Sequence, residues 1–191
     1  MSKRKPVTCF KSYDVRGKLG EELNDEIAYL VGRATAQSLN ANTVVLGFDA
    51  RATSPELARA VARGICDVGA DVLEIGLAGT EEMYAAVSEF GAGAGIEVTA
   101  SHNPINYNGM KVVKSGSQPL SGEEFTNIRY LVEQNNFNLS ERSGLVIDKS
   151  RFAREAYLEK IIGFVDLRNL KPLKIVINSG NGAAGPTLDA L

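Results

Sequence analysis

The chain has 191 residues, 44% of them hydrophobic, and a formal net charge of −2. That length exceeds one average domain and falls short of two, and the apolar share suffices for an ordinary core. The near-neutral charge argues against nucleic acid or an anionic membrane surface as a partner, and no apolar run is long enough to span a bilayer. The two cysteines, Cys9 and Cys66, have no metal-ligand spacing and form no disulfide framework, so they read as reduced, part-buried thiols. The basic start at residues 1–6 is followed by no apolar signal-peptide core. These features imply a soluble cytoplasmic α/β protein and leave its oligomeric state open.

Residues 1–6 read as a loose tail, and 7–10 as a short strand delivering 13–17, where Arg16 precedes a glycine. Taken alone, Arg16 is a surface charge in a turn. Asn24 suits a helix N-cap, and Ile27, Leu30, Val31 and Ala34 continue a helical stripe to about Leu39. Residues 43–48 form a β-branched apolar run of buried-strand length. Asp49 and Arg51 leave its end and read as a structural pair or loop anchor. Ser54 and Pro55 start the next helix, as cap and first helical residue, and Gly69 ends it. A strand over 71–75 and a turn over 76–79 follow. Thr80 then caps a helix to about Phe90, with Glu81 and Glu82 in its first turn as helix stabilisers.

Gly91, Gly93 and Gly95 follow a helix and lead into a strand, so they read as a flexible connection and not as a nucleotide fingerprint. The strand carries Ile96 and Val98 and ends at Thr99. A polar turn-forming segment runs from Ser101 to Gly109, and a second strand covers 110–114. Ser121 with Glu124 forms a capping box for a helix to about Gln134. Residues 135–143 are the best linker candidate. A helix over 151–165, a strand over 174–177 and a glycine-rich turn opening a helix at Pro186 complete the chain. Alternating strands and helices predict a layered α/β domain with a mixed, largely parallel sheet. Active residues then cluster beyond the carboxyl ends of strands.

One such end carries the chemistry. Residues 96–114 (IEVTASHNPINYNGMKVVK) place Ser101, the only histidine His102, Asn103 and Lys111 in or beside one loop. A hydroxyl at a strand mouth beside cationic partners suits a covalent intermediate. Pro104 and Asn108-Gly109 are also ordinary turn chemistry, so the string read alone is equally compatible with a plain connection.

The string T-A-S-H-N-P followed by Y-N-G-M-K resembles the phosphoserine loop of the α-D-phosphohexomutases, which include phosphomannomutases and phosphoglucomutases. Tyr13-Asp14-Val15-Arg16-Gly17 resembles the family's N-terminal Y-D-x-R-G, and Gly47-Phe48-Asp49-Ala50-Arg51 its G-x-D-x-R turn. Gly79 to Tyr84 is similar to the version in bacterial members that feed GDP-mannose synthesis. The resemblance implies an α/β/α domain I over residues 1–140, bearing the phosphoserine. Residues 141–191 would be a linker and the truncated start of a similar domain II.

It also implies a reaction. A phosphoserine gives its phosphoryl group to a hexose phosphate, the bound hexose bisphosphate turns over, and its other phosphate returns to the serine. Mannose 6-phosphate and mannose 1-phosphate thereby interconvert. Ser101 is then the phosphorylated residue and one ligand of Mg²⁺. Lys111 is an acid/base or charge stabiliser, Arg16 and His102 neutralise the transferring group, and Tyr13, Arg16, Asn103 and Lys111 bind substrate. Glucose 1,6-bisphosphate or a similar bisphosphate is the activator.

The family's Asp-rich metal loop, sugar-selecting loop and terminal phosphate loop are absent from these residues. The expected role is therefore that of an N-terminal portion, inactive alone. Phosphoglucomutase or phosphoglucosamine mutase activity is an alternative within the family. Outside it stand a non-catalytic phosphosugar-binding or assembly module and a serine hydrolase using Ser101. The hydrolase lacks a G-x-S-x-G elbow, and adjacent Ser101 and His102 are not expected to face each other in an extended loop.

Overall fold

A computed structural model describes residues 7–138 and 140–191. The tail expected at 1–6 lies outside the described residues. The first strand, β1, is Val15–Lys18, not the 7–10 segment, where Phe10 makes only an isolated bridge to Val15. Then follow α1 (Asp25–Ser38), β2 (Thr43–Phe48), α2 (Ser54–Asp67), β3 (Asp71–Leu77), α3 (Thr80–Glu89), β4 (Ala94–Val98) and β5 (Tyr107–Lys114). A two-residue strand β6 (Gln118–Pro119), α4 (Gly122–Gln134), β7 (Val146–Asp148), α5 (Ser150–Ile162) and α6 (Ala184–Ala190) complete the chain.

Local chemistry accounts for most of these boundaries. The Asn24 side chain accepts the Ile27 N–H at 2.9 Å, satisfying a free donor of the first turn of α1. Ser121 and Glu124 make both halves of their capping box at the start of α4. Two expected caps are corrected. Thr53 and Gly79 hold the cap positions of α2 and α3, and neither gives a side-chain cap bond. Ser54 instead lies buried inside the first turn, where its hydroxyl has a different acceptor.

The seven strands form one mixed sheet in the order β1-β5-β4-β2-β3-β7, with β6 on β5. The β2–β4, β2–β3 and β3–β7 ladders are parallel, and the ladders of β5 to β1, β4 and β6 are antiparallel. One apolar core joins the sheet to α1, α2 and α4, and a second lies under α3 and α5. Both cysteines are free and buried, and burial pushes the Cys9 thiol up to about 12.

Three expectations fail for physical reasons. Gly95 is not a flexible connection: it lies within β4, and a Cβ there would meet Val87 Cγ2 at 2.4 Å and Met83 Sδ at 2.5 Å. The chain gains β7 where a polar linker gives way to three exposed residues. Arg142 donates to both Asp71 carboxylate oxygens at 2.5 and 2.7 Å, and the Leu145 N–H reaches the same group at 2.8 Å. Residues 174–177 make no strand, and Ile175, Val176 and Ile177 are 70%, 98% and 58% exposed. An apolar run becomes a strand only where a neighbour takes its backbone hydrogen bonds.

Helices α1 and α2 meet backbone to backbone. A Cβ at Gly64 would lie 2.0 Å from the Tyr29 carbonyl oxygen, and one at Gly32 would lie 2.3 Å from that of Val61. Gly64→Ala is therefore expected to force the helices apart and cost about 1–3 kcal/mol, the usual penalty for overpacking. Urea unfolding followed by circular dichroism checks this. An unchanged midpoint would mean that the helix pair tolerates a wider spacing.

Candidate active site

The site begins where β2 and β4 end side by side. Phe48 and Val98 are register partners, and the Asp49 N–H continues the ladder to the Val98 carbonyl at 3.0 Å. Asp49 thus stands fixed at the carboxyl edge of the sheet. Its carboxylate accepts the Arg51 N–H at 3.0 Å and the hydroxyls of Ser54 and Thr99, each at 2.6 Å. The Thr99 hydroxyl in turn accepts the Ser101 N–H at 2.9 Å.

Arg51 holds the loop that follows. Its guanidinium donates to the carbonyls of Ser101 (2.9 Å), Asn103 (2.5 Å), Pro104 (2.9 Å) and Tyr107 (3.1 Å). Its Nε lies 3.4 Å from Asp49, which orients the fork. The expectation of a structural pair or loop anchor covers both halves of this arrangement. The far end of the loop is also pinned. Asn108 is fully buried in β5, where its amide donates to Thr53 and Ser54 at 2.9 Å and accepts the Gly109 N–H at 2.8 Å. Asn108-Gly109 is therefore strand and anchor, not the turn it resembles in the sequence.

Held in this way, Ser101 is exposed with φ of +53°, a left-handed conformation uncommon for a residue with a side chain. A strained backbone at an exposed hydroxyl supports a functional hypothesis. The turn brings Ser101 Oγ within 3.3 Å of His102 Nδ1. This corrects the expectation that the two would not face each other, because the loop is curled rather than extended. Asn103 uses its side chain locally, donating to the Ala100 carbonyl at 2.9 Å. Tyr13 is 78% exposed on the segment before β1.

Strand register brings the charged candidates together. Arg16 pairs with Gly109, and Lys111 lies two residues further along β5, so Arg16 and Lys111 share one face of the sheet. The Arg16 guanidinium pairs with Asp14. Lys111 is the cross-strand partner of Glu97 on β4. The sequence reading did not single out Glu97, although its position inside an apolar strand was a signal. It is 1% exposed, and neither carboxyl oxygen has a hydrogen-bond partner among the described residues. Burial holds its carboxyl protonated well above the usual carboxylate range. Asp49, Glu82 and Glu81 add to that shift, and Lys111 opposes it.

Two more features were missed. Glu82 is buried rather than a plain helix stabiliser; it accepts the Thr187 hydroxyl of α6 and lies 3.6 Å from Arg154 of α5. The turn at residues 180–183 faces the loop across a cleft that Asp49, Arg51, Ser101 and Asn103 also line. Among the described residues, no cluster of three or more His, Cys, Asp or Glu could hold a metal ion. Ser101 offers one hard oxygen ligand, so these residues do not make a Mg²⁺ site by themselves.

Two outcomes follow from this geometry. Arg51→Lys leaves one point charge facing four carbonyls, which an ammonium cannot serve in one plane. Each lost bond is worth about 1 kcal/mol or more, so amide exchange over 101–107 is expected to speed up at least ~10-fold while β2 keeps its protection. Unchanged exchange would show that the loop holds itself. For Glu97, the folded state binds the proton more tightly than the unfolded chain, whose usual value is 4.5. Its contribution is favourable at low pH and declines as pH rises through the raised folded value. Glu97→Gln removes that slope, so melting curves of the two proteins should diverge in the variant's favour as pH rises. Parallel curves would mean that Glu97 does not titrate abnormally.

The comparisons bear on the same residues. The family model for phosphoglucomutase/phosphomannomutase, alpha/beta/alpha domain I, matches residues 7–139. A phosphomannomutase of Escherichia coli strain K12 is 50% identical over 98% of this chain and 41% of its own length. A phosphomannomutase of Klebsiella pneumoniae is 54% identical over 69% of this chain and 84% of its own length. The crystal structure of a phosphoglucomutase/phosphomannomutase family protein from Burkholderia thailandensis aligns with a TM-score of 0.83. It has 32% identity and covers 95% of this chain and 41% of that one. The chain thus spans about two fifths of the length of several relatives it matches. From the clamped serine loop to the matched residues, the chain belongs to the phosphoglucomutase/phosphomannomutase family, with residues 7–139 as its α/β/α domain I.

Proposed function

We propose that this chain is the phosphoserine-bearing part of a phosphomannomutase that interconverts mannose 6-phosphate and mannose 1-phosphate through a hexose bisphosphate. The observation that carries the reading is Ser101 itself: exposed, left-handed, and presented at a strand end by carbonyls fixed to Arg51. The names of the relatives favour mannose among the hexoses. On this reading residues 1–140 form the phosphoserine domain, and 141–191 link it to a second unit while β7 and α5 stay on the first sheet.

The residues then divide the work by charge. A phosphoserine carries about −1.5 to −2 near neutrality and needs cations close by. Arg16 and Lys111 reach the same sheet face, and His102 lies beside the hydroxyl. Arg16 and His102 neutralise the transferring group, while Lys111 exchanges a proton with the sugar hydroxyl or stabilises its charge. Tyr13 and Asn103 line the substrate cleft. Mg²⁺ supplies charge neutralisation when bound, with the Ser101 phosphoryl as one ligand and its other donors from outside these residues. A hexose bisphosphate charges the serine, and the cytoplasm, where hexose phosphates reside, is the expected compartment.

The short Ser101–His102 contact favours one other reading, a serine hydrolase. Labelling of Ser101 by a fluorophosphonate would support it.

Kinetics of the complete enzyme test the proposal. Ser101→Ala should remove nearly all mutase activity while leaving the melting temperature in place. Arg16→Ala or Lys111→Ala should lower turnover by ~10²–10⁴-fold, the range of general acid–base help. A coupled assay with mannose 1-phosphate and a hexose bisphosphate measures both. Normal turnover by Ser101→Ala would overturn the assignment.

A further inference from the structure

Glu97 is a side chain that the proposed mechanism leaves without a task. It stands in the middle of β4, in the centre of the sheet, 1% exposed, with both carboxyl oxygens unpartnered among the described residues. Burying a carboxyl without a partner is costly, so its neighbours bear close reading. The space around it is shaped for it. On the adjoining strand Gly47 is its register partner, and a Cβ at Gly47 would lie 2.3 Å from Glu97 Oε2. Any other residue at 47 would displace the carboxyl. On the opposite strand the partner is Lys111.

The groups that act on this carboxyl come from each element around it. Lys111 belongs to β5, Asp49 follows β2, and Glu81, Glu82 and Tyr84 belong to α3. Arg154 of α5 faces Glu82, and Arg51 faces Asp49, so those two cations are already engaged. Lys111 is left as the cation that favours an ionised Glu97.

We propose that Glu97 is a positioning residue for Lys111, and that the two groups share one proton across the β4–β5 ladder. In one state Lys111 is an ammonium and Glu97 a carboxylate. In the other, an N–H bond of Lys111 is broken and an O–H bond of Glu97 is formed, leaving an amine and a carboxylic acid. The pair has no net charge in either state. The lysine can therefore present a free amine to the cleft without releasing a proton to water. A buried acid whose other neighbours are mostly anionic is a good proton holder for this purpose. Two groups coupled in this way titrate as a pair.

The use of the amine at a sugar hydroxyl rests on the phosphomannomutase reading; the pairing does not. The first experiment therefore needs no turnover. The Lys111 side chain, labelled with ¹³C at Cε, is titrated by NMR in this chain and in Glu97→Gln. The expected result is two coupled steps in the parent and one step in the variant. That step should fall lower by about one pH unit or more, because a negative neighbour has been lost. Identical single-step titrations would overturn the pairing.

The second experiment uses the complete enzyme. Glu97→Gln should hold KM within about twofold, lower kcat ~10-fold or more and displace its pH profile, as loss of tuned acid–base help does. Glu97→Asp should restore part of that loss. A merely structural Glu97 would leave the pH profile of Glu97→Gln parallel to that of the parent, and that outcome would overturn the proposal. Coupled titration with no mutase activity in the parent enzyme would instead reject the phosphomannomutase reading and leave the pair standing.

Discussion

The site depends on one guanidinium. A serine that must remain exposed cannot be fixed by burying its own side chain, so the loop has to be held by its backbone. Four carbonyls between Ser101 and Tyr107 turn toward Arg51, and a planar cation with five donors serves them together. Arg51 is itself placed by Asp49, and Asp49 by the parallel register of β2 with β4. The geometry of the hydroxyl is thus inherited from the sheet, three contacts away.

The two faces of that sheet do different work. Under α1, α2 and α4 the packing is apolar and close, and glycines let α1 and α2 meet at backbone distance. The face under α3 carries the charges. Arg16, Lys111 and Glu97 lie across three neighbouring strands, and Glu82 ties α3 to α5 and α6. The low-dielectric interior that stabilises the fold also surrounds Glu97, and it strengthens every electrostatic interaction there. A stable core and a tuned acid are two results of the same burial.

Much of this was legible in the residues. The period of apolar positions revealed the alternation of helices and strands, and the cap chemistry of Asn24 and Ser121 marked two helix starts. The strings around Ser101, Arg16 and Arg51 pointed to the loop and its family. What was not legible depends on neighbours distant in the chain. Asn108-Gly109 has turn composition, yet it lies in β5 because Thr53 and Ser54 accept the Asn108 amide. The three residues of β7 have no pattern of their own and exist because Asp71 captures Arg142 and the Leu145 N–H. Residues 174–177 have the composition of a strand and no neighbour to pair with. Glu97 is written openly in the sequence, but only the sheet register shows that it faces Lys111 and Gly47.

The central claim is that the Arg51-held loop presents Ser101 as a phosphoryl acceptor. The most direct measurement is intact-mass analysis of the complete enzyme after incubation with glucose 1,6-bisphosphate and Mg²⁺, followed by peptide mapping. The account predicts a single added phosphoryl group, confined to the peptide that contains Ser101. No added mass, or a phosphoryl group on any other serine with Ser101 unmodified, would contradict it.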